Sequence, residues 1–174
     1  MPSSWRWSKL NYVAELYTGN SISKSIKEAK YTNIPEGYPY IATKDVVSHN
    51  LIDYDNGVRI PYGEKNFRIS APKSILLCIE GGSAGKKMAI NEKVICFGNK
   101  LCNFTSYGVS HKWLFNYIQS PEFFSNFSSN MSGIIGGVGV SKLKDMFIPV
   151  APTNEIANIT QLVDLMFERL SQLE

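Results

Sequence analysis

CIEGGSAGKKMAINEKVICFGNKLCNF, residues 78–104, places a glycine-rich basic loop between two apolar runs. The first run, 74–79, predicts a β-strand that leads into the loop 81–87, which holds three glycines and ends in two lysines. The second run, 94–97, predicts another strand and stops at a Gly-Asn pair. Glycine lets the backbone approach a ligand closely, and lysines beside exposed backbone N–H groups form a site for an anion.

This loop has three interpretations: a nucleotide-binding site, a solvated hairpin loop without a ligand, and a contact with nucleic-acid phosphates. A nucleotide-binding P-loop requires glycine, four residues and then Gly-Lys-Ser/Thr. Counting from Gly85, Glu80 stands where the first glycine belongs and Lys87 stands where Ser or Thr belongs, so this interpretation is disfavoured. A solvated hairpin loop with lysines at its tip and a contact with nucleic-acid phosphates both stay open.

Composition narrows the class of protein. With 174 residues, 44% of them hydrophobic and 19% charged, the chain predicts one substantial folded core. It has no apolar run of membrane-spanning length and no apolar signal segment at its start. The odd number of cysteines, Cys78, Cys96 and Cys102, predicts buried free thiols in a reducing, cytoplasmic location. His49 and His111 have no spacing that suits zinc, so no metal or cofactor is predicted.

Charge is distributed unevenly along the chain. Residues 153–174 hold four acids and one base, whereas residues 1–152 hold seventeen bases and eleven acids. A basic body with an acidic tail is compatible with nucleic-acid binding by the body.

Short apolar runs between turn signals predict a β-rich, mixed α+β domain over residues 1–152. The predicted strands are 38–41, 58–60, 74–79, 94–97, 107–109 and 146–150. Helical spacing of apolar residues predicts helices at 10–17, 112–119 and 122–127, the last after Pro121.

The tail, residues 153–174, predicts a long coiled-coil-type helix. Its apolar residues are spaced 3, 4, 3, 4, 3, which is the a/d heptad pattern: Ile156, Ile159, Val163, Met166, Leu170 and Leu173. Thr153 or Asn154 is a suitable N-cap, and Glu155 complements the helix dipole. One interpretation packs this helix on its own domain. The length of the seam favours the other interpretation, pairing with a partner helix.

Six segments carry a resemblance to a known family. They are Trp7 with Lys9 and Leu10, TGNS at 18–21, PYIATKDV at 39–46, EGGSAGKK at 80–87, CFGNKLC at 96–102 and IPVAPTNE at 148–155. Together they resemble half of a type I restriction–modification specificity subunit, namely one target recognition domain followed by its conserved spacer helix. In the last segment Pro152 and Glu155 match the family's Pro-Pro-Leu-x-Glu-Gln motif, whereas Ala151, Thr153 and Ile156 depart from it.

The resemblance implies a non-catalytic, sequence-specific DNA-binding subunit. Such a subunit reads one half of a bipartite site in double-stranded DNA, and its helices set the gap between the halves. It docks DNA methyltransferase subunits and motor-nuclease subunits, and no methylation motif of its own is present here. A chain with one domain and one helix is therefore expected to form a homodimer through that helix and to prefer an inverted repeat.

The candidate DNA contacts follow from the polar and glycine residues of these segments. Backbone and lysine groups suit a phosphate clamp, and polar side chains suit further contacts. The clamp residues are Gly81, Gly82, Ser83, Lys86 and Lys87, and the further contacts are Thr43, Lys44, Asn99, Lys100 and Asn103.

Two other classes of function stay open. A non-catalytic protein-interaction module assembled through the helix would show no salt-dependent DNA affinity. A small hydrolase or transferase is disfavoured because neither histidine has a nucleophile and an orienting group in a recognisable motif.

Overall fold

The central strand of the fold is the apolar run at 75–78, every residue of which is fully buried. The computed structural model describes residues 2–134 and 136–172. Within these ranges the strands are β1 Arg6–Lys9, β2 Ala14–Thr18, β3 Tyr38–Ile41, β4 Arg59–Ile60, β5 Ile69–Ser70, β6 Ile75–Cys78, β7 Met88–Ile90, β8 Ile95–Phe97, β9 Leu101–Ser106 and β10 Phe147–Val150. The α-helices are α1 Lys24–Ile26, which continues as a π-turn over Lys27–Tyr31, α2 His111–Ile118, α3 Pro121–Ser129, α4 Val140–Asp145 and α5 Thr153–Ser171.

The strands form two four-stranded sheets and one two-stranded pair. The first sheet has the order β2-β9-β6-β7 and is antiparallel throughout. The second has the order β4-β3-β8-β5, in which β3 and β8 run parallel. Strands β1 and β10 pair with each other, which brings the start of the domain next to the strand that precedes α5. The predicted α+β class is confirmed.

Strand β6 is apolar throughout because the first sheet is covered on both faces. Successive side chains of a strand point to opposite faces. Ile75 and Leu77 pack with the helices α2 to α5, whereas Leu76 and Cys78 pack against β3 and β8 of the second sheet. A third cluster, around Tyr31, covers the outer face of the second sheet. The layers are therefore helices, first sheet, second sheet and the 22–36 segment.

Several predicted elements are confirmed with small shifts of their ends: the strands at 38–41, 58–60, 74–79 and 146–150 and the helices at 112–119 and 122–127. The run at 94–97 is also a strand, β8, but it belongs to the second sheet rather than pairing with β6. The strand that returns from the glycine loop is β7, a three-residue element that the apolar pattern did not mark.

Two predicted elements are wrong. The spacing at 10–17 predicted a helix, but Leu10–Tyr12 is a 3₁₀ turn and the rest is β2, because pairing with β9 outweighs local spacing. The strand predicted at 107–109 lies earlier, at β9. There the Tyr107 and Gly108 N–H groups both donate to Val13 O at 3.0 Å, which turns the chain away from the sheet.

A buried polar network joins the strands around β9. Asn103 Oδ1 accepts from Ser70 Oγ (2.5 Å), and Asn103 Nδ2 donates to Thr105 Oγ1 (2.8 Å). Asn91 Nδ2 donates to Ser70 Oγ (2.8 Å) and its Oδ1 accepts from the Ser74 N–H (3.1 Å). Each buried polar side chain of this network thus has a partner, which is the condition for burying it at low cost.

The three cysteines are buried free thiols, as predicted. Burial raises the pKa of Cys96 to about 11 and that of Cys102 to about 12. Both side chains therefore act as small apolar groups at neutral pH. None of the helices in the described ranges has the length and apolar character needed to span a membrane.

The first half of α5 packs on the domain. Ile156 is buried in the helix-side core and Ile159 packs partly against it. Two polar contacts tie the helix to the domain, one in its first turn from Trp5 Nε1 to Glu155 Oε2 (2.7 Å) and one beyond its midpoint from Lys112 Nζ to Asp164 Oδ2 (2.5 Å).

The helix start differs from the prediction. Pro152 occupies the N-cap position, so Thr153 and Asn154 lie inside the first turn instead of capping it. Proline is well suited here, because its fixed φ leads into a helix whose first N–H groups have no intrahelical acceptor.

Candidate nucleic-acid interface

Three loops that follow buried strands meet at one edge of the two sheets. They are 42–46 after β3, 79–87 after β6 and 98–100 between β8 and β9. Because β3 and β8 are parallel, their carboxyl ends lie side by side. The Gly98 N–H donates to Ile41 O and the Ile79 N–H donates to Lys100 O, both at 2.9 Å, so the backbone links the three loops.

A fourth loop, 131–139, joins the same edge. The Gly81 N–H donates to Gly136 O and the Val138 N–H donates to Ile79 O, each at 2.9 Å. Sequence reasoning did not include this segment in the site, although its four glycines resemble the composition of the 79–87 loop. We call these four loops together the loop edge.

The 79–87 loop is held rigidly at its base. The Gly85 N–H donates to Cys78 O and the Cys78 N–H donates to Lys87 O, both at 2.8 Å. Ala84 and Gly85 are buried against α3. A Cβ at position 85 would lie 2.9 Å from Phe127 Cδ1, and φ there is +74°. Glycine is thus required at this position both by space and by conformation.

The apex of this loop offers two backbone donors. The predicted clamp included Gly81, but its N–H is already used in the bond to Gly136. Across the described hydrogen bonds, the N–H groups of Gly82 and Ser83 donate to no protein acceptor. Gly82 is exposed, so this part of the backbone is available to an oxyanion.

The two lysines of the loop differ in their surroundings. Lys86 is exposed and forms no ion pair with any described residue. Lys87 is half-buried, and its Nζ donates to Thr43 O at 3.2 Å, which ties the 79–87 loop to the 42–46 loop. Lys86 is therefore a free surface cation, whereas Lys87 also has a structural contact.

The other lysines at the loop edge pair with neighbouring acids. Lys100 Nζ lies 3.3 Å from Glu80 Oε1, and Lys44 Nζ lies 3.5 Å from Asp45 Oδ1. Asp45 is buried and its Oδ2 accepts from the Ala42 N–H at 2.8 Å, which shapes the loop. The Lys100–Glu80 pair is largely exposed on both sides, and such a pair contributes only about 0–1 kcal/mol, so the Lys100 ammonium group remains available to a phosphate. The Lys44 side chain is itself exposed, although its partner Asp45 is buried.

Nine of the ten predicted contacts therefore lie at the loop edge. Asn99 is exposed in the turn between β8 and β9. Asn103 is the exception: its side chain is fully buried and its amide groups are satisfied inside the protein, so we withdraw it from the candidate contacts. A local signal was present, since Asn103 lies between the apolar residues Cys102 and Phe104.

Four lysines and two acids occupy the loop edge, which gives it a positive balance. In the ranges that the structure describes, no three side chains among His, Cys, Asp and Glu come together as a metal site would need. The pKa of His111, which lies at the start of α2 away from these loops, is lowered by burial and by Lys73 and Lys112. The loop edge thus combines a positive balance with exposed backbone N–H groups.

A second surface of interest is the outer half of α5. Its large apolar side chains are 46–60% exposed: Leu162, Leu165, Met166, Phe167 and Leu170. Val163 is half-buried, and Leu173 lies outside the described residues. The predicted seam is therefore divided, since Ile156 and Ile159 pack against the domain, whereas Met166 and Leu170 face solvent.

The chain was compared with protein-family models, curated proteins and solved structures. The family model of the type I restriction modification DNA specificity domain matches residues 2–174. No curated protein matches significantly.

Solved structures share the fold at low sequence identity. A chain from a study of complex assembly and conformational transition of the type I R-M system gives a TM-score of 0.79 at 20% identity over 99% of this chain. The HsdS subunit from Thermoanaerobacter tengcongensis gives 0.75 at 19% identity over 99%. The type I restriction-modification system S subunit from M. genitalium gives 0.65 at 19% over 97%. The match spans 40% of the length of each of these structures.

Proposed function

This chain belongs to the type I restriction modification DNA specificity domain family, and on that basis we propose that it recognises DNA for a restriction–modification complex. The single observation that carries the proposal is the convergence of four loops into one positively charged edge. That edge combines lysines with unused backbone N–H groups, which are the groups that bind phosphate oxygens.

Within this proposal the loop edge is the DNA-binding surface. Lys86, Lys87 and the Gly82 and Ser83 N–H groups contact phosphates and fix the position of the duplex. Thr43, Lys44, Asn99 and Lys100 stand beside them, where polar side chains reach either phosphates or base edges. The recognition domain is 1–152, and it reads one half of a bipartite site.

The chain itself is proposed to be non-catalytic. Its partners in this role are DNA methyltransferase subunits, which supply the methylation chemistry, and motor-nuclease subunits, which supply cleavage. The helix 153–174 acts as the spacer that fixes the distance to a second recognition domain.

A second copy of the chain is the proposed partner of α5. The exposed leucine, methionine and phenylalanine side chains of its outer half form an apolar strip that water solvates poorly. Two such strips are self-complementary when the helices run antiparallel about a two-fold axis. The resulting dimer presents two loop edges in opposite orientations, which suits an inverted repeat.

A gel-shift titration against a random pool of duplex DNA tests the DNA-binding function. We expect binding that weakens steeply between low and physiological salt, because phosphate contacts release counterions. The exposed strip on α5 favours one other function, a protein-interaction module. Dimerisation without any salt-dependent DNA binding would support that module and contradict our proposal.

A further inference from the structure

Ile134 is an apolar side chain held entirely in solvent. It is 106% exposed, more than any other large hydrophobic residue described. A single exposed apolar residue is common on protein surfaces. Ile134, however, belongs to the loop edge, because its loop is bonded to Ile79 and Gly81 at the base of the 79–87 loop.

The loop around Ile134 is a narrow, glycine-built projection. The Ser132 N–H donates to Gly137 O at 2.9 Å and the Gly136 N–H donates to Gly133 O at 3.2 Å. Gly133 and Gly136 have φ of +83° and +72°, which glycine adopts without strain. These bonds close the loop below the residue and leave Ile134 at the tip.

The base of this projection is attached to the proposed phosphate clamp. Gly81 donates to Gly136 O, and Glu80 and Gly137 face each other as an antiparallel bridge. A duplex whose backbone lies on Gly82 and Lys86 therefore has the Ile134 tip next to it.

The chemistry of isoleucine determines what it can contact there. It has no charge and no hydrogen-bonding side-chain group, so it gains nothing from a phosphate. The apolar parts of DNA are the thymine methyl group and the faces of the base pairs, and apolar side chains bind both.

We propose that Ile134 is a specificity-determining residue that makes apolar contact with the bases of bound DNA. This inference rests on the proposed DNA-binding function. It divides the loop edge into two roles, with the lysines holding the backbone without regard to sequence and Ile134 reading the groove.

Selection of duplexes from a random pool, followed by affinity titration at several salt concentrations, tests the inference on the full chain. Four proteins are compared: wild type, Ile134→Ala, Lys86→Ala and Ile26→Ala. Ile26 is the matched control, an exposed isoleucine on α1, whose neighbours Ile22 and Tyr31 belong to the third cluster and not to the loop edge. Since nothing packs over Ile134, its truncation leaves folding intact, which thermal unfolding verifies.

We expect Ile134→Ala to lose the preference at one or two base positions, by about tenfold, while its salt dependence stays that of wild type. Lys86→Ala has the opposite signature, a smaller salt slope and an unchanged motif. Ile26→Ala matches wild type in both. Replacing thymine by uracil at the affected position then identifies a methyl contact, and 2-aminopurine fluorescence identifies insertion at a base step.

Two results overturn the inference in distinguishable ways. If Ile134→Ala selects the same motif with the same discrimination as wild type, Ile134 does not read bases and the DNA-binding function still stands. If wild type shows no salt-dependent binding to any duplex, the proposed function fails and this inference fails with it.

Discussion

Asn103 shows how burial decides the role of a polar residue. Its side chain connects Ser70 and Thr105 inside the sheets. We expect Asn103→Ala to lower the free energy of unfolding by about 1–3 kcal/mol, because it leaves buried polar partners unsatisfied. Urea unfolding measures this. Asn99→Ala is the matched control, since Asn99 is exposed and its truncation has little effect on stability. Equal stability of the two variants would contradict the assignment.

The lysines of the 79–87 loop yield a prediction about DNA affinity. We expect Lys86→Ala to weaken binding to all duplexes alike and to reduce the salt slope by about one unit. Adding Lys87→Ala extends the loss to about two units and loosens the 42–46 loop, whose Thr43 carbonyl loses its donor. Fluorescence anisotropy with a labelled duplex measures both quantities.

Lys30→Ala provides the charge-matched control for this pair of substitutions. Lys30 is exposed on the segment that follows α1, outside the loop edge. If its removal weakens DNA binding as much as that of Lys86, the loop edge is not the principal phosphate contact.

His111 links stability to pH. Burial, Lys73 and Lys112 lower its pKa below the ordinary 6.5, against an opposing effect of Asp164. The unfolded chain therefore binds the proton more readily, so this contribution to stability is full above pH 6.5 and is lost as the pH falls below it. We expect His111→Gln to be less sensitive to acid than wild type in urea unfolding at about pH 7.5 and about pH 5.5. Equal acid sensitivity of His111→Gln and wild type would refute the linkage.

At the scale of elements, a strand or helix can be predicted from the sequence when its own residues determine its conformation. The run that became β6 is apolar on every residue because it is buried on both faces, and Pro121 marks the start of α3 by its fixed φ. Strand β2 was mistaken for a helix, since its conformation depends on pairing with β9, in which Leu16 lies opposite Phe104, 88 residues further along the chain. Local spacing contains no information about such a partner.

The loop edge was predictable only in part, because its loops have local signals but their convergence depends on non-local pairing. Each of the loops 79–87 and 98–100 was recognisable from glycines, lysines and the end of an apolar run. Their convergence with 42–46 depends on the parallel pairing of β3 and β8, and the arrival of 131–139 depends on bonds to Gly81 and Ile79. Non-local pairing brought Ile134 to the site, and no local pattern indicated it.

At the scale of the whole molecule, α5 combines a half that packs on the domain with a half that exposes apolar side chains. The first half of the helix is fixed to the domain through Ile156 and Glu155, so its direction relative to the sheets is set. The outer half projects apolar side chains that the domain does not cover. Burying a side chain of this size stabilises by roughly 1.5–3 kcal/mol, which exceeds the contribution of helix propensity several-fold.

We therefore expect the chain to dimerise through α5, and Met166→Asp with Leu170→Asp to yield a monomer that keeps its folded domain. Both side chains are exposed in the single chain, at 55% and 60%, so the substitutions disturb only the association. Ile26→Asp is the matched control, because Ile26 is also exposed, at 48%, but lies on α1 and outside α5, and this variant stays dimeric. Sedimentation velocity across micromolar concentrations measures the change in oligomeric state.

The monomeric variant should also lose the preference for an inverted repeat and keep weak half-site binding, because one chain presents one loop edge. Wild type that remains monomeric at high micromolar concentration would show that α5 does not pair with its own copy.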